Sequence, residues 1–96
     1  MIKVIAQDFI KPECVEGYLA IVEELVAATN ANDAGCIKYE LCRNVNEPQR
    51  FFMLEEWENQ ESLDAHMNSA HFTTLIPKMA GMTTNPPVIT ILEKVY

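Results

Sequence analysis

Two stretches of this chain carry apolar side chains at both odd and even positions, and a β-strand of that kind has no side it can show to water. Residues 2–9 set Ile2, Val4 and Ala6 against Ile5 and Phe9, and residues 50–57 set Phe51, Met53 and Trp57 against Phe52 and Leu54. Residues 88–95 repeat the pattern with Val88, Ile89, Ile91, Leu92 and Val95. A sheet built from such strands needs cover on both surfaces. Ninety-six residues, 49% of them hydrophobic, suffice for one modest core, so we expect a single domain over 1–96.

The cover on one surface is legible as helices. Pro12 supplies the fixed φ of a first helical turn, with Glu13 and Glu16 near its positive end. Val15, Tyr18, Leu19, Val22, Leu25 and Val26 then recur at helical spacing, predicting a helix over 12–29. Asn30, Asn32, Asp33 and Gly35 stop it. Residues 36–44 alternate Ile37, Tyr39 and Leu41 against Lys38 and Glu40, as a half-buried strand does. A turn at Asn46, Glu47 and Pro48 leads into the strand 50–57 and makes a hairpin. Asn59 caps a second helix over 60–69, with a further helical turn over 72–79 interrupted by Pro77. A loop over 81–87 precedes the last strand. The order βαββαβ predicts an α+β, ferredoxin-like fold with a four-stranded antiparallel sheet and both helices on one face. A second copy packed on the other face is the economical cover, so a homodimer is expected.

Charge removes several classes of partner. Asp and Glu number 14 against 7 Lys and Arg, for a net charge of -7, and the basic residues form no cluster. That field repels phosphate backbones and anionic membranes, so neither nucleic acid nor membrane is an expected partner. No apolar stretch is long enough for a signal peptide or a membrane span, which points to a cytoplasmic protein. Cys36 and Cys42 lie about 20 Å apart along one strand, too far to bridge, and the three thiols are expected to be reduced. Three glycines make no GxGxxG or phosphate loop, and no GxSxG elbow or CxxC pair occurs.

The chemistry-bearing stretch is 55–72, which holds the only Trp and both His. With Leu63 as origin on one continuous helix, His66 and His71 fall on opposite flanks of the apolar centre marked by Met67 and Ala70. There each ring can be oriented by a neighbour and aimed into a pocket as a general base, or can simply be a satisfied boundary histidine. A spacing of i, i+5 splays the two rings, and no Cys or carboxylate stands at a recognised ligand spacing, so no metal is expected. Trp57, with Phe51, Phe72 and Tyr39, can wall an aromatic pocket or serve as plain core. One of Glu55 and Glu56 must point toward an apolar face and will need a partner, for which Arg43 and Arg50 are candidates.

The string Gly35, Cys36, Tyr39, Glu40, Leu41, then 52–57 (FMLEEW), then Leu63, His66, Ser69, His71 and Phe72 resembles the antibiotic biosynthesis monooxygenase domain family. The resemblance spans essentially the whole chain in length and element order. It implies a dimeric α/β barrel of two ferredoxin-like subunits, each with a pocket between sheet and helices. It further implies a monooxygenase acting on a small aromatic or quinol with dioxygen and without metal or organic cofactor. On that picture His66 and His71 handle protons, Glu55 orients a histidine, and Trp57, Tyr39, Phe72 and Arg43 contact substrate.

Two other branches of that family bear on the reading. A haem-degrading branch uses an Asn, a Trp and a His; here Gln7 and His66 stand near the first two positions and 75–78 offers no His, so haem is not expected. An isomerase of a small phosphorylated carbonyl signal molecule is the enzymatic alternative, with Arg43, Arg50 and Lys78 as its phosphate candidates. A non-catalytic dimeric module binding a small ligand is the third.

Overall fold

The computed structural model describes residues 1–96 and has the expected order of elements. Strand β1 (Ile2–Ile10) leads through a 3₁₀ turn (Pro12–Cys14) into helix α1 (Val15–Asn32). Strands β2 (Cys36–Asn44) and β3 (Glu47–Trp57) form the hairpin. Helices α2 (Gln60–Met67) and α3 (Ala70–Leu75) and a 3₁₀ turn (Ile76–Met79) precede strand β4 (Thr83–Glu93). The sheet order is β2-β3-β1-β4 and every neighbouring pair is antiparallel. This is the ferredoxin-like α+β fold, and no helix is long and apolar enough to cross a membrane.

The core lies between the helices and one face of the sheet. Val4 and Ile10 of β1, Phe51, Met53 and Trp57 of β3 and Tyr39 of β2 meet Tyr18, Val22 and Leu25 of α1 and Leu63 of α2, all buried. Helix α1 buries Tyr18, Val22 and Leu25 of the stripe that its spacing predicts, leaves Val15, Leu19 and Val26 half-buried, also buries Thr29, and runs three residues past the expected end. Asn30 and Asn32 continue the helix because their side-chain amides donate to the carbonyls of Val26 and Ala28 four residues back, so they do not break it.

Several boundaries move, each for a local reason. Strand β2 carries a bulge between Cys36 and Lys38, which turns Ile37 out of the expected inward row and leaves it 50% exposed. The hairpin turns at Val45 and Asn46 rather than at 46–48. Strand β4 begins at Thr83, inside the stretch read as a loop. Pro86 and Pro87 are tolerated because β4 is an edge strand with an irregular register between Asn85 and Val88, where missing N–H donors leave no ladder bond unmade. The predicted helix 60–69 stops at Met67: Ser69 caps a separate helix by accepting the Phe72 N–H at 3.3 Å.

The other sheet face is apolar but not uniformly so. Ile5, Phe9, Phe52 and Leu54 are half-buried beside Val88 and Leu92, exposed at 48% and 43%. Arg50 crosses them, its guanidinium 5.3 Å from the Phe9 ring and 5.4 Å from that of Phe52 while donating to Gln7 Oε1 at 2.7 Å. Lys3 and Glu56 pair at 3.5 Å.

One glycine is indispensable to the site. Gly35 has φ +80°, and a Cβ there would lie 2.1 Å from Ser62 Oγ, so the turn after α1 packs directly on the first turn of α2. Gly35→Ala is therefore expected to destabilise the fold by about 2 kcal/mol or more, from left-handed strain and the clash together. Urea unfolding measures it; a loss below about 0.5 kcal/mol would mean that the two turns are not in close contact.

Candidate functional site

The end of α1 and the adjoining helices α2 and α3 bring Asp33, His66 and His71 together. Asp33 caps the C-terminus of α1, its N–H donating to the Thr29 carbonyl at 3.0 Å, and its carboxylate reaches across to the α2–α3 junction. His66 Nδ1 lies 2.5 Å from Asp33 Oδ2, a short charge-assisted hydrogen bond. His71 Nε2 lies 2.9 Å from Asp33 Oδ1, but its approach is too oblique for a hydrogen bond.

With its Nδ1–H donated to Asp33, the His66 ring carries its lone pair on Nε2. That nitrogen is buried and has no partner in the chain. The ring sits among Trp57, Tyr39 and Phe72, with centroid separations of 4.7, 5.0 and 5.0 Å. Burial pulls the imidazole below its ordinary pKa of 6.5, and the Asp33 carboxylate only partly offsets this, so His66 is a neutral base at neutral pH.

The expected flanking positions for the two rings rested on one continuous helix, and the break at Asn68–Ser69 overturns them. His66 and Leu63 face the core, Met67 is 39% exposed, and Ala70 is exposed. The same break brings His66 and His71 close, with ring centroids 6.0 Å apart. The i, i+5 spacing therefore does not splay the two rings away from a shared ligand point. Asp33, His66 and His71 each offer a ligand atom within 4.8 Å of the others and are the residues that could hold a cation.

Glu55 meets Trp57 rather than a histidine: Trp57 Nε1 donates to Glu55 Oε1 at 3.0 Å. Its carboxyl is buried on the helix-facing side of β3, and desolvation pushes its pKa up to about 7 against the smaller opposing effect of the indole N–H. Glu56 takes the opposite parity and pairs with Lys3.

A cavity of about 230 Å³ opens between sheet and helices, and fifteen of its twenty lining residues are hydrophobic. Tyr39, Glu55, His66 and Phe72 line it. Trp57 is fully buried behind that wall, and neither it nor His71 is part of the lining. Arg43 is exposed near the hairpin turn, its guanidinium 4.9 Å from the Phe51 ring, and it does not reach the cavity. Asp8 and Tyr18 line the cavity although no motif drew attention to Asp8 and Tyr18 read as plain core. No Lys or Arg lines it. Asp33 read as a helix stop; thirty-three residues separate it from His66, and no local spacing can couple positions that distant.

Residues 1–78 match the model of the family described as antibiotic biosynthesis monooxygenase, a span that includes Asp8, Asp33, Glu55, His66 and His71. The chain is 31% identical over 77 residues to YcnE of Bacillus subtilis (strain 168), a monooxygenase candidate, covering 80% of each. Among solved structures it is similar to an antibiotic biosynthesis monooxygenase at 35% identity, with a TM-score of 0.93 and the whole of both chains covered. It is similar also to a conserved protein from Methanosarcina mazei Go1 at 32% identity and TM-score 0.93, covering 98% of this chain and 92% of that one.

Proposed function

Because the chain belongs to the antibiotic biosynthesis monooxygenase family, we propose that it is a cofactor-independent monooxygenase that oxidises a small hydroxylated arene or quinol with dioxygen, His66 being the general base. The observation that carries this is the unpartnered Nε2 of a buried His66 whose other ring nitrogen is bonded to Asp33. His66 Nε2 takes the phenolic proton, and the resulting anion passes one electron to dioxygen. The apolar cavity holds the radical and superoxide until they combine as a peroxide. His66 returns its proton to the peroxide, and loss of water then leaves a new carbonyl: one oxygen atom stays in the product, the other departs as water, and the substrate supplies all four electrons that reduce dioxygen. Asp33 is a positioning residue that acts through His66, while Tyr39 and Phe72 bound the reacting ring.

The phosphorylated-signal isomerase is disfavoured because the cavity presents Asp8 and Glu55 and no cation to an anionic group. A closed core around Trp57, His66 and His71 would favour the non-catalytic module; His66 lines the cavity, while Trp57 and His71 do not. The working unit is proposed to be a homodimer, supported by β4, whose Ile89 and Ile91 are 63% and 51% exposed on one side while Val88 and Leu92 are exposed on the other. Sedimentation at micromolar concentration is expected to report two chains per particle; a stable monomer overturns the dimer.

The test is oxygen uptake on a panel of quinols and naphthols, with and without chelator. Uptake unaffected by chelation is expected. Loss on chelation restored by ferrous iron would transfer the chemistry to the Asp33, His66 and His71 group, and proton exchange without uptake would favour isomerisation. Asp33→Asn is expected to cut kcat at least about tenfold with little change in KM, since the ring loses its fixed tautomer. It should also move the acid limb of the kcat profile to lower pH, because the carboxylate that lifts the His66 pKa is gone. An unmoved limb would show that Asp33 does not act through His66.

A further inference from the structure

The cavity has a second polar end, remote from His66. Tyr18, fully buried on α1, donates its hydroxyl to Asp8 Oδ2 at 2.7 Å, and both residues line the cavity. Asp8 Oδ1 has no hydrogen-bond partner within the chain. Asp8 also lacks a cross-strand partner in β4, because the register shifts between Asn85 and Val88. Burial raises the Asp8 carboxyl above its ordinary pKa, and the Tyr18 hydroxyl only partly opposes this.

The two ends stand on one strip of sheet. Val4 pairs with Glu55, Ala6 with Met53 and Asp8 with Phe51, so four residues of β1, about 13 Å, separate the Glu55 level from the Asp8 level. Ala6 lies midway and is the smallest side chain on that strip, which leaves a trough between the ends. The titratable groups facing the trough are Asp8, Tyr18, Tyr39, Glu55 and His66, with no cation among them.

We propose that Asp8 and Tyr18 form a distal anchoring subsite, where Asp8 Oδ1 accepts a hydrogen bond from a hydroxyl at the far end of an elongated, uncharged ligand whose near hydroxyl meets His66. This deepens the preceding reading and rests on the cavity being its substrate site. The ligand class is a two-ring arene with a hydroxyl at each end, and ligands ending in carboxylate or phosphate are rejected by Asp8.

The experiment is anaerobic calorimetric titration of the protein with 2,6-dihydroxynaphthalene, 2-naphthol and 6-hydroxy-2-naphthoate. The diol is expected to bind about tenfold tighter than the mono-ol, the worth of one hydrogen bond to a charged acceptor, and the naphthoate weakest of the three. Asp8→Asn keeps the side chain's volume and still accepts from Tyr18, but turns an amide N–H toward the trough. It should shrink the diol preference, because a neutral amide N–H donating to the hydroxyl oxygen is a weaker bond than one to a charged acceptor, and bind the naphthoate at least tenfold better than the parent protein does. Asp8→Ala, which removes the bond and erases the preference, serves if the asparagine variant does not fold.

A ranking unchanged in these variants, equal binding of naphthoate and diol by the parent, or no binding of any probe overturns the proposal. The titration consumes no oxygen, so an Asp8-dependent ranking stands even where aerobic turnover fails. Turnover without that ranking removes the subsite and leaves the oxygenase reading intact.

Discussion

Replacing His66 with glutamine is expected to lower the turnover number for oxygen uptake by about 10²- to 10⁴-fold, the usual contribution of a positioned general base. Glutamine fills part of the space between Trp57, Tyr39 and Phe72 and can still donate to Asp33, but it has no lone pair basic enough to take a phenolic proton. Substrate binding should change little, because the apolar walls remain. The parent protein's kcat should fall on acidification, with an inflection below 6.5, since burial lowers the His66 pKa and only the neutral ring accepts a proton. His71→Gln should cost about tenfold or less, because that ring lies off the cavity and reaches the chemistry only through Asp33. Stopped-flow or electrode measurements on the best quinol decide the matter. If His66→Gln retains full kcat, the base lies elsewhere, and Glu55 is the next group to examine.

Glu55→Gln should change stability more than any other isosteric substitution at the site, and in a pH-dependent way. The Glu55 pKa rises from its ordinary 4.5 to about 7 because desolvation penalises the carboxylate. Below pH 4.5 both folded and unfolded chains hold the proton and the fold bears no penalty. Between 4.5 and 7 the unfolded chain ionises first, so stability falls as pH rises, by about 3 kcal/mol once both states are ionised. That is an upper figure, since water entering the cavity can reach the second carboxyl oxygen. Glutamine never ionises and still accepts the Trp57 indole N–H, so the variant should lose this slope and be the more stable protein at pH 8. His66 contributes the opposite slope as pH falls below 6.5 and Asp8 the same slope as Glu55, and both persist in the variant. Urea unfolding at pH 4.5, 6 and 8 isolates the Glu55 component as the difference between the two proteins. A difference that stays constant across that range would mean that Glu55 is not desolvated.

The fold was legible because its signals are local. Residues 2–9 and 50–57 show their apolar alternation to any reader of the chain, Asn59 caps α2 where its side chain suggests, and the Tyr18, Val22 and Leu25 stripe buries as its spacing requires. The misplaced boundaries are those where a neighbour overrides propensity. Pro86 and Pro87 entered a strand because that strand is an edge, and Ile37 turned outward because a bulge broke the alternation that its sequence shows.

The histidines mark the same limit at the site. Residues 55–72 announced an aromatic and imidazole cluster, since residue types and spacing are properties of a contiguous segment. Their roles came from groups brought in across the fold: Asp33 from the end of α1 to fix the His66 tautomer, Asp8 and Tyr18 to close the far end of the cavity, and a helix break at Ser69 that swung His71 toward His66. Hydrogen bonding and desolvation act over a few ångströms of space. Chain order carries information about them only when the partners are neighbours in sequence, and here they are ten to thirty-eight residues apart.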